Sequence, residues 1–128
     1  MRLSTLKKRA EFQRVRGGGR WATAAFVLEG KARMPVGPAS GPRFGFTVTK
    51  KLGKAVVRNR IRRRLRAALS ELAQHRADPC FDYVVIARNA AFDQTYALLK
   101  SELQGAFQRV HAGPAGKPLP ARRRAAKA

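Results

Sequence analysis

Between Lys50 and Arg66 the chain reads KKLGKAVVRNRIRRRLR, with nine lysines and arginines and no acidic residue. Like charges at this density repel one another unless a polyanion lies opposite them, and phosphate-rich nucleic acid is the obvious counterpart. Six of the nine are arginine. The planar guanidinium grips phosphate through two parallel hydrogen bonds and stacks on bases, which an ammonium group does not. Asn59 places an amide donor and acceptor among the guanidiniums, suited to a ribose hydroxyl or a base edge.

The other residue types able to do chemistry are sparse and scattered. His75 and His111 are the only histidines, each near the end of an expected helix, where the type more often serves the helix terminus than a reaction. Cys80 stands alone beside Phe81 and reads as a small buried apolar group. No Cys/His spacing suggests zinc. The seven carboxylates (Glu11, Glu29, Glu71, Asp78, Asp82, Asp93 and Glu102) fall in no motif that pairs them. A self-contained protein nuclease needs such groups for metal or acid–base work. Trp21 could stack on a base but fits better as packing beside a strand.

A length of 128 residues suits one domain, and 45% hydrophobic content allows a modest core. The net charge of +21 weakens an isolated fold by self-repulsion and favours polyanion partners. A single cysteine excludes an intrachain disulfide and points to the reducing cytoplasm. No apolar stretch is long enough to cross a bilayer, and the N-terminus lacks the apolar core of a secretory signal.

Several elements must position the basic segment. Leu6, Phe12 and Val15 have helical spacing, and Lys7 to Val15 is free of Gly and Pro, so a first helix is expected there, ended by Gly17-Gly18-Gly19. Ala24 to Glu29 reads as a strand, and Gly30 to Pro42 as a mobile loop. Arg43 to Thr49 alternates apolar and small residues with strand period. A further strand falls either around Arg20 to Thr23 or in Met34 to Val36. The basic helix runs from about Ala55 to Gln74. Phe81 to Ala87 is a strongly apolar strand. Asp93 to His111 is a last helix with Tyr96, Leu99, Leu103, Ala106, Phe107 and Val110 as its apolar stripe. Residues 1–112 thus form the domain, and 113–128 a basic tail with little to bury, expected to be disordered.

At about 100° per residue, Val57, Leu65, Ala68, Leu69 and Leu72 share the side of Ile61. Asn59, Arg62, Arg63 and Arg66 fall opposite, with Arg60 beside them, while Arg58 and Arg64 flank the stripe. A merely solvated face mixes signs to form i,i+4 pairs, whereas this one carries a single sign. A membrane-surface helix would show exposed large apolar residues, but here the apolar side is aliphatic and has strands to cover.

Together these segments resemble the protein subunit of bacterial ribonuclease P. RNRIRR at Arg58–Arg63 matches the family's RNR signature, preceded by Lys50, Lys51, Gly53, Ala55 and Val56 in its K-K-x-G-x-A-V pattern. LKKRAEFQRV at Leu6–Val15 is similar to the first helix of the family, GFTVTKK at Gly45–Lys51 to its third strand, and DYVVIAR at Asp82–Arg88 to its last. The resemblance implies an α+β domain ordered α-β-β-β-α-β-α, with a four-stranded sheet and a left-handed β-α-β crossover, against the usual right-handed rule. It implies that a partner RNA is the catalyst, removing the 5′ leader of precursor tRNA with magnesium bound mainly by that RNA and no organic cofactor. No catalytic residue is then expected on this chain. The resemblance carries RNA binding onto Lys50, Lys51, Arg58, Asn59, Arg60, Arg62, Arg63 and Arg66, and a leader-binding cleft onto Phe12, Arg16, Thr47 and Thr49. Arg16 stands where many members have a second aromatic, and Glu29, a group that would repel phosphate, where some have a tyrosine. A ribosomal or ribosome-assembly RNA-binding protein, and a nucleoid-type DNA binder, are the rival readings of the composition.

Overall fold

The computed structural model describes residues 4–6, 9–32, 41–78 and 81–111. The elements are β1 (Ser4–Thr5), α1 (Arg9–Val15), β2 (Gly19–Ala22), β3 (Phe26–Ala32), β4 (Arg43–Thr47), a 3-10 turn (Lys50–Leu52), α2 (Ala55–Arg76), β5 (Phe81–Ala87), a second 3-10 turn (Asn89–Phe92) and α3 (Tyr96–His111). This is the expected α+β domain with four main strands in one mixed sheet. The two-residue β1 adds to the edge, giving the order β1-β4-β5-β3-β2. β4 and β5 are parallel neighbours joined through α2, and β3 runs antiparallel to β5.

Side chains alternate across the sheet because successive residues of a strand point to opposite faces. Phe26, Leu28, Phe44, Tyr83 and Val85 take one face and pack against Ile61, Leu65 and Leu69 of α2 and Leu99, Leu103 and Phe107 of α3. The other face carries the smaller cluster of Leu6, Val15 and Val84, with Phe12 and Ile86 against it. Thus α2 and α3 cover one side and α1 the other. Among the described residues no helix is long and apolar enough to cross a membrane.

Several boundaries differ from the sequence reading, each for a tertiary reason. β3 continues through Gly30, Lys31 and Ala32, which pair with Tyr83, Asp82 and Phe81 although the glycine-rich composition predicts a loop. Gly30 is there for closeness: a Cβ on it would lie 2.6 Å from Val110 Cγ1 and 2.8 Å from the Tyr83 ring. The further strand is Gly19–Ala22; Met34–Val36 lies outside the described residues, as do Cys80 and residues 113–128. Leu6 is not helical. Its N–H donates to Phe44 O at 2.9 Å, and its side chain is buried under α1. The last helix starts at Tyr96 rather than Asp93, with Thr95 Oγ1 accepting the Leu98 N–H at 3.3 Å.

Candidate nucleic-acid interface

The apolar stripe of α2 behaves as its spacing requires: Ile61, Leu65, Ala68 and Leu69 are fully buried, Leu72 nearly so, and Val57 half-buried. On the outer side Val56, Asn59, Arg62, Arg63 and Arg66 line a shallow groove of about 580 Å³. Arg62 Nη1 donates to Asn59 Oδ1 at 3.0 Å, which fixes the amide and leaves its NH₂ as the donor available to a ligand. Arg66 lies 5.3 Å from the centroid of Phe46, so its stem follows the rim of the sheet. Arg58 Nε donates to Gly53 O at 3.1 Å and ties the start of the helix to the preceding turn. Gly53 adopts φ 136°, a region L side chains rarely enter, so glycine suits this junction. Lys50 and Lys51 are exposed in the turn that follows β4.

Arg60 stands apart from this set. It leans toward α3, donating from Nε to Phe92 O at 3.0 Å. Arg64, next along the same edge, donates to the carbonyls of Ala91 and Gln94 and is held as a structural tie.

A second concavity, about 380 Å³, opens on the opposite face of the sheet between α1 and β4. Arg9, Phe12, Gln13, Arg16 and Thr47 line it. Three of the four expected cleft residues therefore meet here. Thr49 does not: it lies beyond the end of β4, exposed before the Lys50 turn, because the strand stops at Thr47. Phe12 rests on Gly45, where a Cβ would fall 2.4 Å from the ring. The aromatic thus sits on bare backbone, half-buried, and lines the groove.

What fixes α1 over the sheet escaped the sequence reading. Arg43 donates from Nε to Asp82 Oδ1 at 3.0 Å and from Nη2 to Oδ2 at 2.8 Å, and from Nη1 to Glu11 Oε2 at 3.2 Å. Hydrogen bonding and attraction from Asp82, then Glu11, raise the Arg43 pKa further, despite an opposing contribution from burial. One guanidinium thereby clasps the helix to two strands. Such a clasp joins residues 32 and 39 positions apart, and no local pattern announces it. Glu29 is likewise compensated: Arg20, its cross-strand partner, approaches to 3.3 Å. Trp21 lies on the α3 side, with the Arg109 guanidinium 4.6 Å from its ring centroid, away from the groove.

His111 closes an aromatic cluster with Phe81, Tyr83 and Phe107. Tyr83 Oη accepts the Asp78 N–H at 2.7 Å and lies 2.6 Å from His111 Nε2, to which it can donate its own proton. Burial pushes the His111 pKa down and the Tyr83 pKa up, favouring the neutral forms of both. Among the described residues no group of three or more His, Cys, Asp or Glu side chains could hold a metal ion.

Known proteins share this sequence pattern and fold. The protein is 43% identical over 119 residues to the ribonuclease P protein component of Paramagnetospirillum magneticum, covering 87% of this chain and 85% of the relative. It is 37% identical over 121 residues to that of Erythrobacter litoralis, covering 94% and 96%. The solved Staphylococcus aureus RNase P protein superposes with a TM-score of 0.68 at 31% identity, over 84% of this chain and 94% of the other. The Thermotoga maritima RNase P protein gives the same TM-score at 23% identity and bears on the fold alone. With residues 1–111 matching the Ribonuclease P family, the chain belongs to that family as a ribonuclease P protein component.

Proposed function

We propose that the protein is the RNA-binding subunit of a cytoplasmic ribonuclease P, assisting a catalytic RNA in the endonucleolytic removal of the 5′ leader from precursor tRNA. The observation that carries this reading is the outer face of α2, where Asn59, Arg62, Arg63 and Arg66 converge without an acidic residue. Guanidiniums carried on one helix face neutralise phosphates and release condensed counterions. On the other side of the sheet, the groove holding Phe12, Arg16 and Thr47 suits a single strand: one ring to stack on a base, and cations for the backbone.

In this reading the hydrolytic centre and its magnesium belong to the RNA. In it, no metal-dependent step is assigned to the described residues. Their work is to hold RNA and leader in register.

Reconstitution tests the proposal. Protein stripped of RNA should not cleave precursor tRNA, and cleavage should appear when the ribonuclease P RNA of the same organism is added. Robust magnesium-dependent cleavage by the RNA-free protein would overturn it. So would co-purification with ribosomal RNA in place of one discrete catalytic RNA, or duplex DNA bound as tightly as structured RNA.

A further inference from the structure

Phe92 is an exposed aromatic, 37% accessible, on the turn leading into α3. The Arg60 guanidinium lies 4.9 Å from its ring centroid and is anchored to its backbone carbonyl. Both side chains are exposed. The Nη nitrogens of Arg60 make no hydrogen bond to other described residues, in contrast with Arg64, which is committed to carbonyls. Steps of four residues put Val56, Arg60 and Arg64 along one edge of α2. Val56, 78% exposed, also lines the arginine groove, so groove and Phe92 share a border. An exposed ring is costly to keep in water, and a guanidinium laid across it and held by its Nε has lost much of its freedom before any ligand arrives.

We propose that Phe92 and Arg60 form a stacking shelf for an unpaired nucleobase of an RNA bound along α2, with the Arg60 Nη donors directed to the adjoining phosphate. The inference rests on the RNA-binding reading and adds a residue outside the basic helix to the interface. Two features select an unpaired base over a duplex. The Arg60 plane laid over the ring offers a flat face on which a splayed base can stack, and it stands outside the arginine row that lines the groove. The occupant comes either from the catalytic RNA or from the precursor tRNA.

The test measures affinity of the full chain for the ribonuclease P RNA, and of the holoenzyme for precursor tRNA, across a salt series. Phe92→Ala should weaken one of the two by about 5- to 160-fold, the range expected for removal of a base–aromatic stack, with the log–log salt slope unchanged. The arm that responds names the source of the base. Arg60→Lys, which keeps the charge but not the plane, should lower the same affinity. Leu98→Ala, a similarly exposed apolar residue on α3, should change neither. Unchanged affinity in both arms for Phe92→Ala overturns the shelf, as does an equal loss on Leu98→Ala. Reconstituted activity of the unsubstituted protein separates that failure from failure of the RNA-binding reading itself. A melting curve for each variant shows whether any loss reflects unfolding.

Discussion

In the proposed reading, the outer face of α2 and the groove under α1 are two ways of meeting a polyanion. The first is carried on one helix. Its arginines project from a scaffold whose opposite side is buried, so the face persists whichever one of them is removed. The second is assembled from separate parts: an aromatic from α1, a glycine and a threonine from β4, and a clasp formed by Arg43 with Glu11 and Asp82. Charge dominates the first and fit the second. Binding at the helix should therefore follow salt and tolerate single substitutions, whereas binding in the groove should follow shape and fail when one part moves.

Stability gives the largest expected contrast. Ile61→Ala opens a cavity beneath the basic face and should cost about 2–5 kcal/mol, whereas Arg63→Ala should stay within about 0.5 kcal/mol. Urea titrations check this, and a melted Arg63→Ala beside an intact Ile61→Ala would refute the division between inner and outer faces.

Binding separates the regions next. Phe12→Ala should weaken binding of precursor tRNA by about 1–3 kcal/mol while leaving mature tRNA, which lacks a leader, bound as before. Arg62→Ala should instead lower affinity for the RNA subunit and reduce the salt slope by about one for each phosphate that is no longer neutralised. If Phe12→Ala lowers affinity for both tRNAs equally and only shifts the melt, the groove is core and not a site.

The smallest effect should come from pH and touch both regions alike. Burial depresses the His111 pKa, so the unfolded chain binds the proton more readily. Stability is then fully present above the ordinary histidine value of about 6.5 and declines as pH falls through it toward the folded value. Melting measured from pH 7.5 to 5 should show this slope, and His111→Gln should flatten it. A difference in slope between RNA-subunit binding and leader discrimination would tie His111 to one region.

The two regions also differed in how far the sequence revealed them. One periodicity sets the inner and outer faces of α2, so Ile61, Leu65, Arg62, Arg63 and Arg66 fall where the wheel puts them. Arg60 is the exception, because its direction depends on the Phe92 carbonyl, 32 residues away. Phe12, Arg16 and Thr47 were legible through family resemblance. Gly45, the Arg43 clasp and the Arg20–Glu29 pair were not, since they arise from strand register and from the packing of α1 on the sheet. Thr49 lies outside the groove's lining for a local reason: alternation continues in the sequence after pairing with β5 has stopped at Thr47. The reverse holds at Gly30–Ala32, where pairing with β5 overrides a composition typical of loops.

The position of β5 in the sheet has a consequence for synthesis. β3 and β4 each pair with β5 and not with each other, so the centre of the sheet is the last strand to leave the ribosome. At about 5–20 residues per second, α2 emerges seconds before the strand that completes its platform. Until Ala87 is out, the facing edges of β3 and β4 stay open and the apolar side of the basic helix lacks its full floor. The basic helix therefore leaves the ribosome before the strand that joins β3 to β4 in the finished sheet.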